Sequence, residues 1–358
     1  MKFFKKAVGI VMAVSMAAVL FAGCGGKKTE EESETTPVEE TETETEELTF
    51  DPDETAVTLG DDTAPASELL FYYAITKTQW ENNYGINDWD VELTSKGITY
   101  GEYLKEQVQS TVLQDIYLNR IADERDIKIT DEEIVAIQEK AQAYLDSIDP
   151  EYVKRFGLNL DNVTEVLIRV TRAQAAYDDL IAEKRATLTE EDLESCKYRH
   201  VQHILISTDR EYETDENGDI VVPTDEETAE FKAQKRAQAQ DILDRARNGE
   251  DFEELAKEYT ADSGVDYYIN KEGTGPDGMR YYDAFAEAAN ALDEGGISDI
   301  VEVTYGYHII KCVSLVDEDT FESAKTDLAA TKVDTEYYDW METAECTFFS
   351  KWADLKVE

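Results

Sequence analysis

The chain has 358 residues, with 81 Asp and Glu against 34 Lys and Arg and a formal net charge of -47. That length accommodates two domains of ordinary size plus extensions around a sizeable core. So negative a surface repels phosphate backbones and excludes nucleic-acid binding.

The chain opens on the positive segment "MKFFKK" and the apolar run "AVGIVMAVSMAAVLF". That run is short for a membrane-crossing helix and reads as a signal peptide over residues 1–23. It leads into "LFAGC", which resembles the lipobox of bacterial lipoproteins; the resemblance implies that Cys24 becomes the lipidated, palmitate-bearing first residue of the mature chain. Residues 29–54 then hold 13 acidic side chains and no basic one. With almost nothing to bury, the stretch 24–56 reads as a disordered, self-extending tether. Cys196, Cys312 and Cys346 show no metal-ligand spacing, cannot all pair with one another, and read as small buried hydrophobes.

From 57 to 195 the signals are helical. Leu104, Val108, Leu113, Ile116, Tyr117 and Ile121 form an amphipathic stripe, and Thr130 with Glu133 forms a capping box. The aromatic cluster Phe71, Tyr72, Tyr73 and Trp80 reads as core packing, with a client-binding crevice as the alternative. The end of the chain, 317–358, again reads as helix, and returning it onto the earlier helices would cover Trp340, Phe348 and Trp352.

Between these parts the texture changes. "RHVQHILIS" is a strand, and Asn217-Gly218 before "DIVVP" signals a hairpin in preference to a partial calcium loop at Asp215, Asn217 and Asp219. Ala239, Ile242, Leu243 and Ala246 lie at helical spacing, Asp251 caps a second helix, and "DIVEVTYGYHIIKCVSL" is two strand segments around Gly306. The middle is therefore an α+β domain, 197–316, inserted in a helical one. His203 alternates onto the face of Val201 and Leu205, and His308 onto the face of Ile310 and Cys312. If the first and last strands of the insert are neighbours, the two imidazoles meet.

In order, "HVQHILIS", "FEELAKEYTADSG", "MRYYDAFAEAANAL", "EGGISDIV" and "YGYHIIK" follow the landmarks of parvulin-type peptidyl-prolyl isomerases, which this domain resembles. With the lipobox and flanking helices, the whole chain resembles the PrsA-type extracytoplasmic foldase lipoproteins. The resemblance implies a small antiparallel sheet surrounded by helices, inserted in an all-α chaperone domain of N- and C-terminal helices. It implies His203, Asp262 and His308 as catalytic residues, Met279 and Phe285 as the proline pocket, and no cofactor. It also implies unfolded exported chains with Xaa-Pro bonds as substrates, and a bacterial, Gram-positive, extracytoplasmic membrane location; a homodimer is compatible with it. A holdase chaperone with little isomerase activity is the alternative. Three departures from the family pattern are visible: "GVDYYINKEGTG" replaces a glycine-rich "GGDLG"-like segment, Asn290 stands for a second pocket aromatic, and Val303 for a threonine. The loop "STDREYETDENGD" holds a lone Arg210 among acids, so phosphorylated substrates are disfavoured.

Overall fold

The computed structural model describes residues 49–357 apart from 94–95, 211–213 and 215–216. The signal peptide, Cys24, most of the tether and Asp215 lie outside the described residues. Two compact units are present: one runs up to Glu183 and resumes at Ala330, the other is Lys184–Ala329.

The first unit begins with a hairpin, β1 (Thr55–Leu59) and β2 (Asp62–Pro65), before α1 (Ala66–Tyr84). A short hairpin, β3 (Glu92–Leu93) and β4 (Ile98–Thr99), precedes α2 (Tyr100–Glu124); α3 (Asp131–Ser147), α4 (Pro150–Arg155) and the long α5 (Leu160–Ala186) follow. Side-chain caps start α2, α3 and α4. Thr99 accepts from the Glu102 amide, and Thr130 from that of Glu133. Phe71, Tyr72 and Tyr73 are buried in the core with Leu104, Val112 and Ile116, and Trp80 packs half-buried against it, so the cluster is core packing. Inside that core Glu68 bonds Arg169 at 2.6 Å, and Tyr72 donates to Asp115. Burial, reinforced by the Glu68 charge, raises the Asp115 carboxyl to about 7.

The second unit opens with α6 (Glu190–Ser195) and β5 (Arg199–Ser207). Next come α7 (Asp225–Arg247), α8 (Phe252–Tyr259), β6 (Asp266–Ile269), α9 (Asp283–Ala291), β7 (Val301–Val303) and β8 (Gly306–Ser314). The four strands form one antiparallel sheet in the order β6-β5-β8-β7, which puts the first and last long strands side by side at its centre. Alternation divides the side chains between two faces. Ile204, Ile206, Tyr307 and Ile309 pack against Ile242, Leu243, Phe252 and Leu255 of α7 and α8. Val201, Ile310 and Ile269 face α9 through Phe285, Ala286 and Ala289. The Asn217-Gly218 turn is present, with Gly218 at φ +85°, and among the described residues Thr214 and Ile220 form an antiparallel bridge across it. Val221 and Val222 beyond it are exposed.

The chain ends in α10 (Glu318–Met341), then β9 (Cys346–Phe348) and α11 (Ser350–Asp354). Where the sequence reads as one helix, the chain breaks at Met341 and adds β9 to β1, giving the three-stranded sheet β2-β1-β9. Strand pairing buries Val57 and Leu59, and Trp352 joins the same core at 2 % exposure. The α+β class holds, and the helical unit carries small sheets of its own. Cys196 and Cys312 are both free and buried.

One glycine sets the register on which the site depends. A Cβ on Gly306 would lie 2.6 Å from the Ile206 carbonyl oxygen, so only glycine lets β8 start this close to β5. Gly306→Ala is expected to destabilise the second unit by about 1–3 kcal/mol, as overpacking does; a urea midpoint equal to wild type would contradict this.

Candidate active site

In the β5–β8 ladder His203 stands opposite Ile310, and His308 opposite Leu205. The histidines are thus diagonal neighbours on one sheet face, within reach for aromatic rings. Their Nδ1 atoms are 2.9 Å apart, and their rings lie nearly parallel with centroids 5.1 Å apart. Each residue is only 2 % exposed.

Asp262 reaches the pair from the loop after α8. That loop is stitched to β5: the Ala261 amide donates to the Leu205 carbonyl, and the Thr260 hydroxyl accepts from the Leu205 and Asp262 amides. The carboxylate then lies with Oδ2 3.4 Å from His203 Nε2, while Oδ1 accepts from the Ser263 amide. A carboxylate favours an N–H over a lone pair, so His203 carries its proton on Nε2. Its bare Nδ1 must then accept from the Nδ1–H of His308. Each imidazole is neutral in this arrangement; both Nε2 atoms are buried without a hydrogen-bond partner among the described residues, that of His203 having only the Asp262 carboxylate at 3.4 Å.

Burial lowers the proton affinity of His203, with Asp262 partly opposing. His308 is lowered to about 4, by burial first and then by the neighbouring His203.

Aromatic rings enclose the pair. Phe285 meets both imidazoles edge-on, at 5.7 and 5.3 Å. Tyr267 meets His203 edge-on at 4.6 Å, and Tyr305 meets His308 at 5.6 Å. A polar pair under an aromatic cup, with one carboxylate at its edge, suits a ring-shaped apolar substrate that carries a rotating amide dipole.

Residues 203–314 match the family model of the PPIC-type PPIase domain, the rotamase. Foldase protein PrsA of Geobacillus kaustophilus is 30 % identical over 250 residues, covering 67 % of this chain and 75 % of that protein. Foldase protein PrsA 3 of Bacillus anthracis is 30 % identical over 249 residues, with the same coverage. The chain belongs to the PrsA foldase family. Among solved structures, the peptidylprolyl isomerase PrsA from Bacillus cereus is 23 % identical, covering 76 % of this chain and 94 % of that one with a TM-score of 0.28. As a PrsA foldase with a PPIC-type domain, the chain is a peptidyl-prolyl cis-trans isomerase.

Four of the residues that the sequence nominates in this PrsA domain come together: His203, Asp262, His308 and Phe285. Met279 does not join them. It is 69 % exposed, in a turn after Gly278 (φ +78°) where its carbonyl accepts from the Gly275 amide. The place beside Phe285 belongs to Tyr281, stacked on it at 5.5 Å. Tyr281 lies just before α9, whose N-cap is Tyr282, so no helical spacing marks it; its place beside Phe285 is set by the extended chain entering the helix. Tyr267 pairs with Val201 in the β5–β6 ladder and so shares the histidine face. Asn290, in place of an aromatic, donates its side-chain amide to the Asn270 carbonyl and ties down the loop after β6.

The depressed proton affinity of His308 has a stability signature. The unfolded chain takes up a proton on this residue below 6.5, while the folded chain does so only near 4. The folded state therefore holds fewer protons between these values, and its stability falls as pH drops through that window, being fully present above it. From pH 7 to 4.5, wild type should lose on the order of 2 kcal/mol relative to His308→Gln, which lacks the titrating group. Urea unfolding of both proteins at several pH values measures the difference; a constant gap would contradict the assignment.

Proposed function

We propose that the His203–His308 pair, Asp262 and the cup of Phe285, Tyr267 and Tyr281 are the isomerase site. The observation that carries this reading is a buried, neutral imidazole pair in edge-on contact with Phe285. The chemistry needs no nucleophile. Amide resonance opposes rotation about Xaa-Pro with a barrier of about 20 kcal/mol, and a catalyst need only favour the twisted amide over the planar one. The cup takes the prolyl ring and strips water from the amide. The imidazoles and Asp262 present fixed dipoles to a carbonyl whose orientation changes as the bond turns, without reorganising at that moment. A cleft of about 500 Å³ lined by Lys232, Tyr282, Glu302 and Val303 gives the flanking residues of a peptide room. Tyr282 connects it to the site through Tyr305, which touches both Tyr282 and His308.

The substrates are unfolded exported polypeptides with unphosphorylated Xaa-Pro bonds. The signal peptide supports export. The loop after β5 supports the charge preference: its Arg210 is engaged over the Phe231 ring, and acids surround it. A lipid on Cys24, in a lipobox-like context, would tether the chain to the outer face of the membrane of a Gram-positive bacterium, with the acidic stretch as spacer. The helical unit would serve as the client-holding part, residues 197–316 as the isomerase domain, and the segment from 317 as the return to the helical unit.

The test is cis-to-trans isomerisation of unphosphorylated Xaa-Pro peptides by wild type, His203→Ala and Phe285→Ala. With folding verified by circular dichroism, His203→Ala should lower kcat/KM on the order of 100-fold, and Phe285→Ala should act mainly through KM. Phosphoserine-Pro peptides should be poorer substrates, most clearly at low salt. A wild-type rate no faster than buffer would overturn the reading and leave a holdase on a parvulin scaffold.

A further inference from the structure

The segment "GVDYYINKEGTG", which departs from the family pattern, places Tyr267 at the edge of the histidine pair. Its hydroxyl donates to Asp262 Oδ2 at 3.0 Å, the same oxygen that stands 3.4 Å from His203 Nε2. Its ring meets His203 edge-on at 4.6 Å, Tyr281 at 5.8 Å and Phe285 at 6.4 Å. One side chain thus touches the carboxylate, the imidazole and the cup.

We propose that Tyr267 is a positioning residue of this isomerase: its hydroxyl takes up Asp262 Oδ2 and holds the carboxylate off His203, while its ring closes one wall of the cup. The inference deepens the site proposed above and rests on that reading. The hydroxyl is a constant donor, because burial and the Asp262 charge push the phenol up to about 12. At 3.4 Å the Asp262–His203 contact is longer than a charge-assisted hydrogen bond, whereas the phenol contact is of ordinary length. The tyrosine therefore wins the shared oxygen. His203 keeps enough of the carboxylate's field to fix its tautomer, and too little to become an imidazolium. The groups facing His203 are Asp262 and the Gly264 backbone from the loop after α8, Tyr267 from β6, His308 from β8 and the uncharged Phe285 from α9; Asp262 and the Gly264 backbone favour its protonation, and no other charged side chain shifts it.

The test is Tyr267→Phe in the full chain, which keeps the ring and removes only the donor. Freed of the phenol, Asp262 should close on His203 and raise its titration midpoint by about one pH unit. The midpoint is read by NMR of the imidazole and assigned against His200→Asn and His308→Gln. The acid limb of kcat should move up with it, while KM stays within about two-fold because the cup is intact. In an Asp262→Asn background the same substitution should move neither midpoint nor limb. Superimposable His203 titrations of wild type and Tyr267→Phe would overturn the proposal, as would an equal shift in the Asp262→Asn background. The titration needs no turnover, so it decides the role of Tyr267 even if the peptide assay were to defeat the isomerase site.

Discussion

A hydrogen bond between two buried imidazoles is the constraint around which the second unit is organised. An Nδ1-to-Nδ1 bond of 2.9 Å needs one donor and one acceptor, so both rings cannot be imidazolium at once. At least one of the two rings must therefore stay neutral. Burial does this: each residue is almost inaccessible, and the aromatic cup completes the enclosure. The bond also requires that His203 and His308 fall diagonally across adjacent strands. A slip of one residue would turn one imidazole onto the opposite face. Gly306 and the pairing of Leu205 with His308 hold that register.

The same enclosure leaves little charge beside the pair in a chain of net charge -47. Among the described residues, Asp262 is the single carboxylate beside the pair, and its charge is divided between Ser263, Tyr267 and His203. The surface around the pair is otherwise aromatic. A buried acceptor without a partner, such as His308 Nε2, ordinarily costs about 1–3 kcal/mol. It persists where the surrounding packing is strong enough to hold it, as on a strand fixed by ladders on both sides.

Much of this was legible in the sequence because strand alternation is a rigid rule. The face shared by His203, Val201 and Leu205, and that shared by His308 and Ile310, follow from a period of two. The rest depended on tertiary contacts. β9 is three residues long and sits between two helices, and nothing local marks it; it becomes a strand because β1 offers an edge. Thr55–Leu59 precedes a helical region and was hidden by it, although "TAVTL" is rich in β-branched residues. Met279 drew the pocket assignment through its match to the family motif, whereas the chain entering α9 puts Tyr281 beside Phe285 and leaves Met279 exposed. Tyr267 lay in a segment read as a departure from the family pattern, and its role appears only when β6 is paired with β5.

The central claim is that the pair is neutral and has one tautomeric order. Nitrogen-15 chemical shifts of the imidazoles at pH 7 test it most directly. Expected are His203 protonated on Nε2 alone, His308 on Nδ1 alone, and a through-bond coupling across the Nδ1–Nδ1 contact. An imidazolium at either residue, or both rings protonated on Nε2 with no coupling between them, would contradict it.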